Sequence, residues 1–266
     1  MLTYPKIDPV AFELGPLAIH WYGLAYVTGI AIGWLLLHRR ARAGVIPFTT
    51  TEVSDMVFYG AVGGVLGGRL GYVLVYNLHD YLANPLAILK VWEGGMSFHG
   101  GVIGFIIATA LYARMVKRPF LSITDALVPI VPVGLLLGRI ANFIKPELWG
   151  APSNVPWAMV FPDARAGAVP RHPSQLYEAF LEGIVLFIVL WILSRRPRAT
   201  GLLSGLFLIL YGAFRFIVEF VREPDAQIGY LFGGWVTMGQ MLSLPMIVAG
   251  LLILLFVTLR SRPEDH

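Results

Sequence analysis

The residues that invite a chemical reading are charged groups in places where charge is costly. In residues 135–150, LLLGRIANFIKPELWG, Arg139 and Asn142 sit in or at the edge of an apolar run that starts near Ile123. An ionised side chain at the centre of a membrane helix costs roughly 3 kcal/mol on insertion scales, so Arg139 needs a partner. In residues 210–220, LYGAFRFIVEF, Tyr211, Arg215 and Glu219 recur every fourth position. That spacing puts a hydroxyl, a guanidinium and a carboxylate on one helical face. Taken alone, the stretch reads equally as a structural arginine–glutamate pair.

Other stretches carry polar groups into apolar surroundings. In residues 92–101, WEGGMSFHGG, His99 lies between two glycine pairs. It reads either as a proton acceptor near neutral pH or as a hydrogen-bonded structural histidine. In residues 171–183, RHPSQLYEAFLEG, Ser174 can cap a helix on which Gln175, Glu178 and Glu182 follow at three- and four-residue spacing. Glu182 lies deeper and also needs a partner. In residues 60–71, GAVGGVLGGRLG, glycines 60, 64 and 68 and glycines 63, 67 and 71 form two four-residue ladders. Such ladders suit close packing of membrane helices. A phosphate loop would need a following Lys-Ser or Lys-Thr. Arg69, on the same segment, reads as a snorkelling residue, a structural ion pair or a lipid-phosphate contact. His20, His79 and His172 have no helical pairing with His99 and no HExxH occurs, so no metal site is expected.

The elements that must position these groups follow from composition. The 266 residues are 57% hydrophobic and only 14% charged, with mean hydropathy +0.71. Soluble domains are about 25% charged. The expected class is therefore an all-α integral membrane protein. Without cysteine the chain has no disulfide, no thiolate metal site and no cysteine nucleophile of its own. Seven stretches are long enough to span, at about 16–37, 54–76, 97–115, 123–143, 174–193, 202–221 and 238–259. Residues 1–15 carry Lys6, Asp8 and Glu13 without a basic leader or cleavage site, so the first span is expected to be retained.

Arg39, Arg40 and Arg42, then Arg114, Lys117 and Arg118, then Arg195, Arg196 and Arg198, and finally Arg260 and Arg262 follow spans 1, 3, 5 and 7. They hold 11 of the 20 Lys and Arg residues. The loops between carry Asp80 and Glu93, Glu147 and Asp163, and Glu223 and Asp225. The positive-inside rule then places the N-terminus outside and the C-terminus in the cytoplasm. The chain is expected to form one polytopic domain over 1–266, its outer loops 77–96 and 144–173 making a small periplasmic head with short interfacial helices. Arg139, Arg215, His99 and Tyr22 all fall in the outer half of their spans. One outward-facing polar chamber follows, and arginine's rigid fork suits a phosphate there.

The motifs HWYGLAY, GGRLGYVLVYN, GGMSFHGG, GRIANF..ELWG, RHPSQLYE and YGAFRFIVEFVREPD run in order along the chain. Together they resemble the bacterial prolipoprotein diacylglyceryl transferases. Residues 138–150 resemble the family signature Gly-Arg-x-(Gly or Ala)-Asn-Phe-x-Asn-x-Glu-x-x-Gly, matching at Arg139, Asn142, Glu147 and Gly150. Lys145 stands where the signature has its second Asn. The resemblance implies transfer of the diacylglyceryl group of phosphatidylglycerol to the lipobox cysteine of preprolipoprotein signal peptides, with release of glycerol 1-phosphate. It implies a multi-pass protein of the bacterial inner membrane, without cofactor or nucleic-acid partner. On this reading His99, Arg139 and Arg215 are catalytic, with His99 the base unless the arginines themselves favour the thiolate. Tyr22, Arg69, Asn142, Glu147, Gly150, Gln175, Glu178, Tyr211 and Glu219 line or support the substrate site, Glu219 by orienting Arg215. The alternative is a lipid or anionic-solute transporter with a central arginine site. That class expects repeated halves, and the sequence has no clear repeat.

Overall fold

A computed structural model describes residues 2–15, 17–90, 94–224 and 229–260. Glu93, Asp225 and Arg262, used above to orient the loops, lie outside the described residues. The chain divides into two compact units, Trp34–Ala126 and Met1–Gly33 with Leu127–His266.

The chain opens on a feature that the all-α expectation lacks. Strands β1 (Val10–Leu14) and β2 (Leu17–His20) pair antiparallel, and Gly15 between them takes a φ of +60°, which glycine adopts without strain. The first helix, α1 (Trp21–Arg42), therefore begins later than residue 16, because the apolar residues before it lie in a strand.

The unit Trp34–Ala126 is built on α2 (Thr50–Tyr76) and α4 (Phe98–Met115). Thr49 and Glu52 start α2 with a reciprocal capping box, which satisfies two otherwise orphaned backbone donors. Of the two glycine ladders, one meets backbone. A Cβ on Gly67 would lie 2.3 Å from the Gly100 carbonyl oxygen, and one on Gly63 2.6 Å from that of Gly104. The other ladder meets side chains or space: Gly60 faces Phe105, Gly68 faces Met96, and Gly64 has only a carbonyl at 4.0 Å. A short helix α3 (Leu78–Ala83) and a 3-10 turn (Pro85–Leu89) fill the following loop.

The stretch expected as a single span over 123–143 is two helices, α5 (Phe120–Leu127) and α6 (Val131–Ile144). Pro129 disfavours helical backbone at Val128, and Pro132 fits the first turn of the next helix. The helical stretch Ser174–Leu193 comprises α7 (Ser174–Glu178), a π-helical segment (Ala179–Val185) and α8 (Leu186–Leu193). Then come α9 (Leu202–Val218) and α10 (Met238–Arg260). These two pack through Gly205, Gly212 and Gly250; a Cβ on Gly250 would lie 2.6 Å from the Gly205 carbonyl oxygen. Ser174 begins its helix without capping it, and its hydroxyl donates to the Leu148 carbonyl instead.

Among the described residues five helices are long and apolar enough to cross a membrane, or six if α5 and α6 make one bent span; α9, with 17 residues, is a shorter apolar helix. The 144–173 loop has a core of its own, in which Tyr4, Phe143, Met159, Phe161 and Ala166 pack with Trp149 and Leu176. The buried Tyr4 hydroxyl, its pKa pushed up to about 12 by burial, stays protonated and donates to the Phe143 carbonyl.

The glycine contacts set a test with an internal control. Gly67→Ala should destabilise the protein by about 1–3 kcal/mol, the usual cost of overpacking. Gly64→Ala should be neutral or slightly stabilising, because alanine has the better helix propensity. Thermal unfolding in detergent compares them, and equal midpoints would rule out backbone contact at Gly67.

Candidate active site

Three helices bring the charged residues together. Arg139 comes from α6, Glu178 from α7, Glu182 from the π-helical segment and Arg215 from α9. Close approach of α6 to the π segment depends on Gly183, where a Cβ would stand 2.7 Å from that of Leu136. The wider π turn is itself of a kind found at functional sites.

Glu178 is the hub. Its Oε2 lies 2.7 Å from Arg139 Nε, and its Oε1 accepts a 2.6 Å hydrogen bond from Arg215 Nη1. Arg222 Nε stands 3.7 Å from the same Oε1. Glu182 Oε2 accepts from Arg139 Nη2 at 3.3 Å. Arg215 Nη2 pairs with Glu219, which also takes Arg222 Nη1 at 3.1 Å and the Thr237 hydroxyl at 2.5 Å. Three guanidiniums thus meet three carboxylates, with a formal charge of zero. The carboxylates are the closed part: the side chains of Glu178 and Glu182 are 0% exposed and that of Glu219 2%. The arginines form the open part, with Arg139 16% and Arg215 14% exposed. Arg139 is therefore compensated by protein carboxylates, so its depth in an apolar run does not require a bound anion.

A second network adjoins the first through α6. Asn142 Nδ2 donates to Glu147 Oε1 at 2.9 Å, and Lys145 Nζ lies 2.9 Å from Glu147 Oε2. The lysine that replaces the signature's asparagine thus serves the same carboxylate as Asn142. Gln175 Nε2 donates to the Glu147 carbonyl at 2.6 Å. Gly150 leaves no room for a side chain, because a Cβ would be 2.5 Å from the Val221 carbonyl oxygen. It pairs antiparallel with Arg222, which ties the loop to the end of α9. Arg171 donates to the Gly150 and Ala166 carbonyls and pairs with Glu223.

The remaining expected residues take defined places. Tyr211 lies within electrostatic reach of Glu182, Arg139 and Arg215. Tyr22 is partly exposed, with its hydroxyl 3.5 Å from that of Tyr26, and Tyr26 is in reach of the charges of Arg139 and Glu147. Arg69 and His99 belong to the unit Trp34–Ala126. Arg69 donates to the carbonyls of Ala87, Ile88, Lys90, Gly94 and Gly95, which occupies all five N–H groups of a guanidinium. His99 is exposed in the first turn of α4, after Ser97, which caps that helix by accepting from Gly100 N–H.

Four participants escaped the sequence reading. Arg222 is visible as an i,i+3 partner of Glu219. Thr237 and Gln240 form a reciprocal box at the start of α10, each accepting from the other's backbone N–H at 3.1 Å, and Thr-x-x-Gln is its signature. Gly239 admits the Glu219 carboxylate, which would lie 2.4 Å from a Cβ there, and no local sequence signal marks it.

Removing the hub should be costly. Glu178→Ala leaves two half-buried guanidiniums without their shared, fully buried carboxylate and should cost up to about 3–5 kcal/mol. Lys145→Ala breaks a pair whose lysine is 57% exposed and should cost under about 1 kcal/mol. Denaturant unfolding of both variants decides, and equal losses would deny Glu178 its bridging role.

The chain is also similar to known proteins. A family model described as prolipoprotein diacylglyceryl transferase matches residues 9–256. A phosphatidylglycerol–prolipoprotein diacylglyceryl transferase from Methylococcus capsulatus is 58% identical over 255 residues, 96% of this chain and 97% of that protein. Proteins of the same name from Pseudomonas aeruginosa and Pseudomonas putida are 55% identical over 264 residues (99% and 98%) and 56% identical over 252 residues (94% of each).

Proposed function

The chain belongs to the prolipoprotein diacylglyceryl transferase family, and from that premise we infer that its arginine cluster is the phosphate site of the transfer. The protein is a multi-pass membrane transferase that moves the diacylglyceryl group of phosphatidylglycerol to a prolipoprotein. The acceptor is the lipobox cysteine thiol of the signal peptide, and the co-product is glycerol 1-phosphate. The reaction runs in the outer half of the bacterial inner membrane. Seven spans, with α9 as the sixth, leave the N-terminus and both long loops outside. The chain acts as one polytopic domain with a small periplasmic head over 77–96 and 144–173.

The observation that carries the phosphate site is the arrangement of Arg139 and Arg215. Two guanidiniums from different helices converge on Glu178, whose side chain is fully buried while the two arginine side chains stay partly accessible. A phosphate reaching them meets preorganised donors that require no rearrangement of the helices. In the reaction the thiol loses its proton, sulfur attacks a glycerol carbon, and that carbon's bond to the phosphate oxygen breaks. The departing phosphate gains a second negative charge. Arg139 and Arg215 stabilise that charge with bidentate, charge-assisted hydrogen bonds, and Glu219, paired to Arg215 Nη2, keeps its fork aimed. His99 takes the thiol proton. Tyr22 and Tyr211 contribute hydroxyls, and Asn142, Glu147, Gly150 and Gln175 fix the loop that borders the headgroup. Arg69 holds the carbonyls of Ala87, Ile88 and Gly94, upstream of His99.

Purified protein mixed with phosphatidylglycerol and a lipobox peptide should yield a peptide heavier by one diacylglyceryl group, together with glycerol 1-phosphate. Arg139→Ala should lower turnover by at least about tenfold, since one charge-assisted hydrogen bond is worth about 1.5–3 kcal/mol. Arg139→Lys should recover only part of it, because an ammonium lacks the fork. Full turnover by folded Arg139→Ala protein would remove Arg139 from the site.

A further inference from the structure

The charge balance of the cluster raises a question that phosphate binding alone does not answer. Arg139, Arg215 and Arg222 are matched one for one by Glu178, Glu182 and Glu219. A phosphate docking on Arg139 and Arg215 enters a neutral site, and the leaving phosphate monoester carries two negative charges. Excess charge of one sign is poorly tolerated away from water. Guanidinium does not deprotonate in proteins, so on the protein side of the cluster the balance is restored at a carboxylate.

The three carboxylates are not equivalent. Glu178, although its Oε2 likewise accepts no aligned hydrogen bond, has ion-pair contacts of 2.7 and 2.6 Å to two arginines. Glu219 pairs with Arg215 and Arg222 and accepts from Thr237. Glu182 is the least engaged: its Oε2 is 3.3 Å from Arg139 Nη2, and its Oε1 accepts no hydrogen bond and stands 4.0 Å from Arg215 Nη1. The side chain is fully buried. The groups facing it are Arg139 from α6, Arg215 and Tyr211 from α9, and Glu178 one turn before it on its own helix. A fully buried carboxylate oxygen that accepts no hydrogen bond is where a proton is best received once the arginines turn to a phosphate.

We propose that Glu182 takes up one proton when a phosphate monoester or diester docks on Arg139 and Arg215. The inference rests on the phosphate-site reading above. Protonation removes one carboxylate from competition for the guanidiniums, and it offsets one of the two charges of the departing glycerol 1-phosphate. The proton comes from the bulk as the phosphate docks, and the thiol proton goes separately to His99. Proton uptake on binding makes the affinity fall as pH rises, over the range in which the empty site is ionised and the occupied site is protonated.

Titration calorimetry of the detergent-solubilised protein with glycerol 1-phosphate tests this, in buffers of different ionisation enthalpy at pH 8. There the ligand, with a second pKa of about 6, is already dianionic. Wild-type protein should take up about one proton per ligand bound, and its affinity should fall between pH 7 and 9. Glu182→Gln keeps the shape but carries no charge. It should bind at least about tenfold tighter at pH 8, with no proton uptake and an affinity independent of pH. Wild-type binding without proton uptake would overturn the proposal even if the variant fails to fold, and so would uptake that persists in Glu182→Gln. No binding of glycerol 1-phosphate or phosphatidylglycerol by wild-type protein would remove the phosphate site itself and the proposal with it.

Discussion

Charge placed among apolar helices must find opposite charge, and the Glu178 carboxylate is where this chain meets that demand. One fully buried side chain joins arginines from α6 and α9, and the surrounding structure serves the geometry of that junction. Gly183 lets α6 approach the π segment, and Gly239 leaves room for Glu219 at the start of α10. Gly205, Gly212 and Gly250 draw α9 against α10. Each glycine gives up side-chain burial so that backbones come close enough for short side chains to meet. On the proposed reading the network also makes the site specific: fixed guanidiniums would recognise a phosphate by shape, whereas a flexible lysine would act as a point charge.

Much of this was legible in the sequence, for reasons that can be stated residue by residue. The period of four in Tyr211, Arg215 and Glu219 placed them on one face, and Glu219 does pair with Arg215. Glu182 and Arg139 each needed a partner by depth alone, and they partner each other. The glycine ladder did mean helix packing, although only spacing in three dimensions shows that 63 and 67 meet backbone while 64 does not. What escaped is mostly tertiary. The strand pair β1 and β2 was hidden because its second strand is apolar and abuts a helix, so it read as the start of the span. The α5–α6 break was signalled by Pro129 and Pro132 but outweighed by the apolar run around them. The π segment has no sequence marker at all. The order of events at Ser174 reversed the expectation for a simpler reason: its hydroxyl had a tertiary carbonyl to bond, Leu148, in place of the helix end.

A neutral cluster that is also the proposed anion site would reconcile stability with function. In the empty site the arginines are held by carboxylates, which avoids leaving buried cations unpaired. A phosphate arriving at the proposed site would compete for donors that are already aimed, so little ordering would remain to be done. The central claim is that phosphate and glutamate share the same two guanidiniums. A structure of the protein with phosphatidylglycerol bound tests it most directly. The account predicts phosphate oxygens at about 2.7–2.9 Å from guanidinium nitrogens of both Arg139 and Arg215, with the Glu182 contact to Arg139 lengthened. A headgroup bound elsewhere, with the Arg139–Glu178–Arg215 bridge and the Glu182 contact unchanged, would contradict it.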